Sequence, residues 1–130
     1  MIIDATVLVA AAVDAGRDGT WAEGIIAEGD LVAPELAFIE ATNILRGLEM
    51  ARTLSPPQAS AARQDLMRIE IRLFPFEPIA ERVWALRRNV TSYDATYVAI
   101  AEALDLPLAT LDRRLASATG PKCRFVLPPQ

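Results

Sequence analysis

Two rhythms of hydrophobic and polar positions alternate along the chain: short apolar, β-rich runs and longer stretches with helical spacing. Met1–Asp4 reads as a first strand, and a short helical stretch begins at Asp4. Thr20–Glu28 reads as a helix and Leu31–Ala33 as a brief strand; Pro34 then opens a helix running to about Ala51. Ser55-Pro56 pairs an N-cap with proline at the first helical position, so the next helix starts there and reaches about Ile71. Leu73–Phe76, bounded by Pro75 and Pro78, reads as a strand, followed by helices over about Ile79–Asn89 and Tyr93–Leu104. Pro107–Thr110 is a strand, Arg113–Ala118 a helical turn, and Arg124–Leu127 a last strand. Strands separated by helices require crossover connections, which build parallel sheets. The expected fold is therefore α/β: a three-layer α/β/α sandwich with a mostly parallel central sheet, formed by one domain over residues 1–130.

Composition narrows this picture. At 130 residues with a 52% hydrophobic fraction, the chain can bury a core without metal or disulfide staples. The longest apolar run, Ala5–Val13, is nine residues, too few to span a bilayer. The N-terminus lacks the basic region and cleavage site of a signal peptide, so a soluble, cytoplasmic protein is expected. The lone Cys123 sits in an apolar run, where an inert thiol is the default. No histidine is present, which removes imidazole bases and His metal ligands.

Charge changes the picture more. The net charge is −4, from 17 acids against 13 bases, which argues against nucleic-acid binding through a basic body. Setting aside Asp4, Glu40, Asp94 and Asp112 leaves acids and bases in balance. Asp4 and Asp112 each follow a strand directly, and sites in open α/β sheets lie beyond the carboxyl ends of strands. Asp94 occupies the first turn of a helix, where the dipole favours a carboxylate. Glu40 lies mid-helix among large apolar residues, on a stripe with Leu36, Asn43 and Gly47, while Phe38, Ala41, Leu45 and Leu48 form the apolar face. An unpaired charge there is expensive, and a metal ion or cationic group would relieve it. Each acid also has a structural reading: Asp4 and Asp112 as N-caps, Asp94 in a Thr91–Asp94 capping box, and Glu40 as a surface helix residue paired with a base.

Four blocks carry a resemblance. Ile2-Ile3-Asp4-Ala5-Thr6-Val7-Leu8 resembles the opening of PIN-domain ribonucleases, particularly VapC-type toxins. Pro34-Glu35-Leu36 with Glu40-Ala41-Thr42-Asn43-Ile44-Leu45, the stretch Ser92–Glu102, and Leu108–Leu115 are similar to that family's later acidic blocks, in order and spacing. The resemblance covers essentially the whole chain. It implies Asp4, Glu40, Asp94 and Asp112 as an acidic quartet, with Thr6, Asn43 and Thr110 as supporting polar groups. It also implies Mg²⁺ or Mn²⁺, an RNA substrate, homodimerisation, a cognate VapB-type antitoxin and arrest of translation. Oxygen-only ligands independently favour these hard cations over zinc. Asp4, Asp94 and Asp112 are expected as direct or water-mediated ligands, and Glu40 as a ligand or water-orienting base. Arg87, Arg88, Arg113 and Arg114 flank the acidic blocks and are candidate phosphate contacts, or simply solvated surface.

Two alternatives differ in class. A receiver-like phosphorelay module is also doubly wound, but usually needs paired acids after the first strand and a lysine after the last-but-one strand; here Asp4 stands alone and Lys122 is the only lysine. A non-catalytic module that binds RNA or a protein partner is the other.

Overall fold

The computed structural model describes all 130 residues. Its strands are β1 (Ile2–Ile3), β2 (Leu31–Ala33), β3 (Ile71–Leu73), β4 (Leu108–Ala109) and β5 (Phe125–Val126). Its helices are α1 (Ala5–Val13), α2 (Arg17–Ala27), α3 (Leu36–Met50), α4 (Pro56–Arg68), α5 (Ala80–Ala85), α6 (Ser92–Leu104) and α7 (Arg113–Ala116). The sheet order is β3-β2-β1-β4-β5, and every pairing is parallel. The expected α/β class with a parallel sheet is what forms.

The strands are two or three residues long, yet β1, β2 and β4 are buried throughout. Helices cover both faces of a parallel sheet, so its central strands are continuous apolar runs rather than alternating ones. Ile2, Ile3, Leu8, Val98, Ile100 and Leu108 are fully buried around β1 and β4. Helices α1 to α4 pack together as one group and α5 with α6 as another, with α6 also against β1 and β4. The apolar stripe of α3 is Ala37, Ala41 and Leu45, with Phe38 and Leu48 only half-buried. The helix is thus turned slightly from the face its large residues suggest. Small residues win there because they let α3 approach its neighbours.

Several boundaries differ from the sequence reading. Strand β3 lies at Ile71–Leu73 rather than Leu73–Phe76, because α4 stops at Arg68 and Ile69 is already extended. Pairing with Ala33 ends at the Phe74 N–H; Pro75 has none to offer and cannot extend the ladder. The helix expected over Ile79–Asn89 is a 3₁₀ turn, Glu77–Ile79, followed by a six-residue helix. Helix α2 begins three residues earlier than expected, at Arg17, with Gly19 pressed against α1. A Cβ on Gly19 would stand 1.8 Å from the Asp14 carbonyl oxygen, so only glycine allows this approach. The Ser55–Gln58 capping box forms in full. No helix is long and apolar enough to cross a membrane.

Candidate active site

The parallel register sets Asp4 and Thr110 side by side at the carboxyl edge, because Ile3 pairs with Ala109. Asp4 is 6% exposed. One carboxylate oxygen accepts from the Thr6 backbone N–H at 3.0 Å, the Thr6 hydroxyl at 2.5 Å and the Val7 N–H at 3.3 Å. The other accepts from the fully buried Thr110 hydroxyl. Those hydroxyls also stitch the two strand ends together: the Leu111 N–H donates to Thr6 Oγ1 and the Asp112 N–H to Thr110 Oγ1, both at 3.0 Å. Burial raises the Asp4 pKa, and these hydrogen bonds to the charged form oppose the rise. The expected supporting roles of Thr6 and Thr110 thus correspond to direct contacts with Asp4 and its neighbouring turn.

Asp4 and Asp112 also serve as N-caps, so the structural reading of each is correct as far as it goes. Asp4 caps α1, and Asp112 accepts from the Arg114 and Leu115 N–H groups at 3.0 and 3.1 Å to cap α7. Asp94 behaves differently. Its backbone N–H donates to Thr91 Oγ1 at 3.1 Å, but its carboxylate does not complete a capping box on the Thr91 N–H, as Gln58 does for Ser55. Burial raises the Asp94 pKa, and the negative charge of Asp112 raises it further, with partial relief from the Thr91 side chain. Two acids from separate blocks therefore share one electrostatic neighbourhood.

Glu40 is half-buried and has neither a cation nor a base beside it. Instead the Tyr97 hydroxyl donates to its Oε1 at 2.6 Å. Tyr97 is 1% exposed and follows Asp94 by three positions on α6, so it shares that helix face. Burial, the Glu40 hydrogen bond and the charges of Glu40 and Asp4 all push the phenol pKa upward. Tyr97 links the α3 acid to the edge where Asp4 lies, and sequence reasoning missed it. The available signal was its spacing from Asp94. The polar partner that Glu40 needs is supplied at Oε1 by a neutral hydroxyl, not by a lysine or arginine.

The remaining candidates lie outside this hydrogen-bonded group. Asn43 is exposed and makes no side-chain hydrogen bond to an acid. Arg87 is exposed, stacks 4.4 Å from the Trp84 ring centroid and donates to the Trp84 carbonyl oxygen. Arg113 donates to the Pro128 carbonyl oxygen at 2.6 Å. Arg88 and Arg114 point to solvent. The Arg82–Glu102 pair is structural: it ties α5 to α6 and, through the Gly120 carbonyl, to the loop before β5. Cys123 is half-buried, and burial with the Glu102 charge pushes its thiol to about 11, which keeps it inert.

The donor set, carboxylates and hydroxyls without imidazole, fits a hard divalent cation. As the side chains stand, no three acids are close enough to hold one ion between them. The chemistry fits such a cation, while the spacing as it stands does not form a cage around one.

Known proteins share the family and the fold. The PIN domain family matches residues 1–121. Ribonuclease VapC1 of Mycobacterium tuberculosis is 39% identical over 127 residues, spanning 97% of this chain and 96% of its own length. Ribonuclease VapC9 of the same organism is 32% identical over 130 residues, spanning 100% and 99%. The fold is shared with PAE2754 from Pyrobaculum aerophilum, at TM-score 0.69 and 24% identity over 95% of this chain and 81% of that one. It is shared too with VapC20 of Mycobacterium tuberculosis, a sarcin–ricin-loop-cleaving toxin, at TM-score 0.65 and 14% identity over 89% and 92%. Family match, near-full-length identity and fold converge, and the chain belongs to the PIN-domain family, among its VapC-type ribonuclease toxins.

Proposed function

We propose that this protein is a metal-dependent endoribonuclease, the toxin of a type II toxin–antitoxin pair, which hydrolyses RNA phosphodiester bonds and arrests translation. One observation carries the reading: Asp4, Asp94, Asp112 and the Tyr97-bound Glu40 come from four separate elements to one edge of the sheet. A structural role for each acid alone does not require that gathering.

Asp4, Asp94 and Asp112 hold Mg²⁺ or Mn²⁺, directly or through water, with Glu40 as a further ligand or water-orienting group. When bound, the cation lowers the pKa of water and stabilises charge on the leaving oxygen. The protein's own residues set the stage for that chemistry. Thr6 and Thr110 fix both oxygens of Asp4, so its carboxylate presents one orientation. Tyr97 fixes Glu40 in the same way. Raised carboxylate pKa values at Asp4 and Asp94 mark groups whose hydrogen bonds do not fully offset burial, and a divalent cation would supply the remainder. A VapB-type antitoxin and homodimerisation accompany this reading, as for toxins of this kind.

Incubation with total cellular RNA in Mg²⁺ tests the assignment. Asp4→Asn and Asp94→Asn should each lower cleavage at least about a hundredfold while far-UV circular dichroism stays unchanged. Undiminished cleavage by either folded variant removes the quartet from the mechanism. Protection of RNA without cleavage, in every cation tried, supports the binding-module alternative instead.

A further inference from the structure

A second feature lies beside the acids. A cleft of about 380 Å³ opens where the carboxyl ends of β2 and β3 face the first turns of α6. It is lined by Leu36, Phe74, Pro75, Phe76, Tyr93 and Thr96, with Pro34, Glu35 and Ser92 completing its walls. Phe76 is 56% exposed and Tyr93 62%, so two aromatic rings stand in solvent where burial would stabilise them. The position is not remote. Tyr93 directly precedes Asp94, Thr96 directly precedes Tyr97, and Leu36 lies one helical turn before Glu40.

We propose that this cleft is a nucleobase subsite, in which Phe76 and Tyr93 stack on one unpaired base flanking the scissile phosphate and thereby select the cleavage site. The inference rests on the ribonuclease reading above and deepens it. Three properties favour a base over other occupants. No lysine or arginine lines the cleft, so it offers no cationic side chain to a phosphate. Aromatic faces bind bases by stacking, which is how proteins recognise single-stranded RNA in loops and bulges. Glu35 offers a carboxylate at the rim that can accept from an exocyclic amino or ring N–H, a contact that distinguishes bases. Tyr93 and Asp94 share the first turn of α6, so a chain whose phosphate lies at Asp94 has a neighbouring base close to Tyr93.

Mapping of 5′ ends tests this, on total cellular RNA digested with purified full-length protein in Mg²⁺. Wild-type protein should cut at sites sharing a preferred base at one position next to the cut. Phe76→Ala and Tyr93→Ala should lose that preference and cut the preferred sites about tenfold more slowly. Phe76→Trp and Tyr93→Phe, which keep a stacking face, should retain both. A uniform slowing with unchanged base preference overturns the subsite, because a merely structural role acts on every site alike. Unchanged rates and preferences overturn it as well. Conversion of a dimer to a monomer by either alanine variant, with base preference intact, makes the cleft a contact between copies and contradicts the proposal. Loss of binding to a co-expressed antitoxin, again with base preference intact, makes it a protein-binding surface and does the same. Absence of any cut by wild-type protein fails the ribonuclease reading itself and takes the subsite with it.

Discussion

At the scale of single residues, two of the four candidate acids also have a structural task. Asp4 caps α1 and accepts two threonine hydroxyls; Asp112 caps α7 and raises the pKa of Asp94. A cap and a ligand need the same thing, a carboxylate fixed at the start of a helix, so the two readings were never exclusive. Tyr97 is the residue whose role separates most cleanly from folding. Tyr97→Phe keeps the buried ring and removes only the hydroxyl bound to Glu40. Stability should fall by about 1–3 kcal/mol, because the hydroxyl bonds a carboxylate, whereas cleavage should fall about tenfold and half-maximal rate should need more Mg²⁺. A variant that melts like wild type and cleaves like it removes Tyr97 from the site. The family was legible in the sequence because the four acidic blocks keep a recognisable order. Tyr97 was not, since an aromatic residue in a buried helix looks like core until its hydroxyl has a partner.

At the scale of elements, a strong local signal fixes the start of α4 but not its end. Ser55, Pro56 and Gln58 announce α4, and the full capping box forms there. Nothing local marks its end at Arg68, and the β3 strand moved two residues earlier because pairing with β2, a long-range contact, decides where it lies. Gly19 shows the same limit: its need for close approach to Asp14 exists only once α1 and α2 have packed. Gly19→Ala should therefore destabilise the fold by about 1–3 kcal/mol, read as a lower denaturation midpoint with unchanged m-value. The Arg82–Glu102 pair gives a pH-dependent counterpart. Burial opposes ionisation of Glu102, but hydrogen bonds from Arg82 and the Lys122 N–H outweigh it and lower the pKa below 4.5. A carboxylate whose pKa is lower folded than unfolded stabilises the fold above about pH 4.5. That stabilisation disappears as pH falls through the folded value. Glu102→Gln should melt below wild type at pH 7, and the gap should close under acid. A gap independent of pH means that packing, not charge, joins α5 to α6.

At the scale of the whole molecule, the parallel sheet explains why four distant blocks reach one edge. Strands of one direction deliver Asp4 and Asp112 to one edge, and α3 and α6 bring Glu40 and Asp94 to it. The fold class and sheet direction were legible from the alternation of strands and helices; strand order and the aromatic cleft were not, because both depend on which element packs beside which. A net charge of −4 also means that the body does not attract RNA by itself. The most direct test of the account is therefore a chelation cycle on purified protein and total RNA. Cleavage should stop in excess chelator, return when Mg²⁺ or Mn²⁺ is restored, and stay absent in Asp94→Asn throughout. Cleavage that continues at the same rate in chelator, with wild type and Asp94→Asn alike, contradicts a metal site built from these four acids.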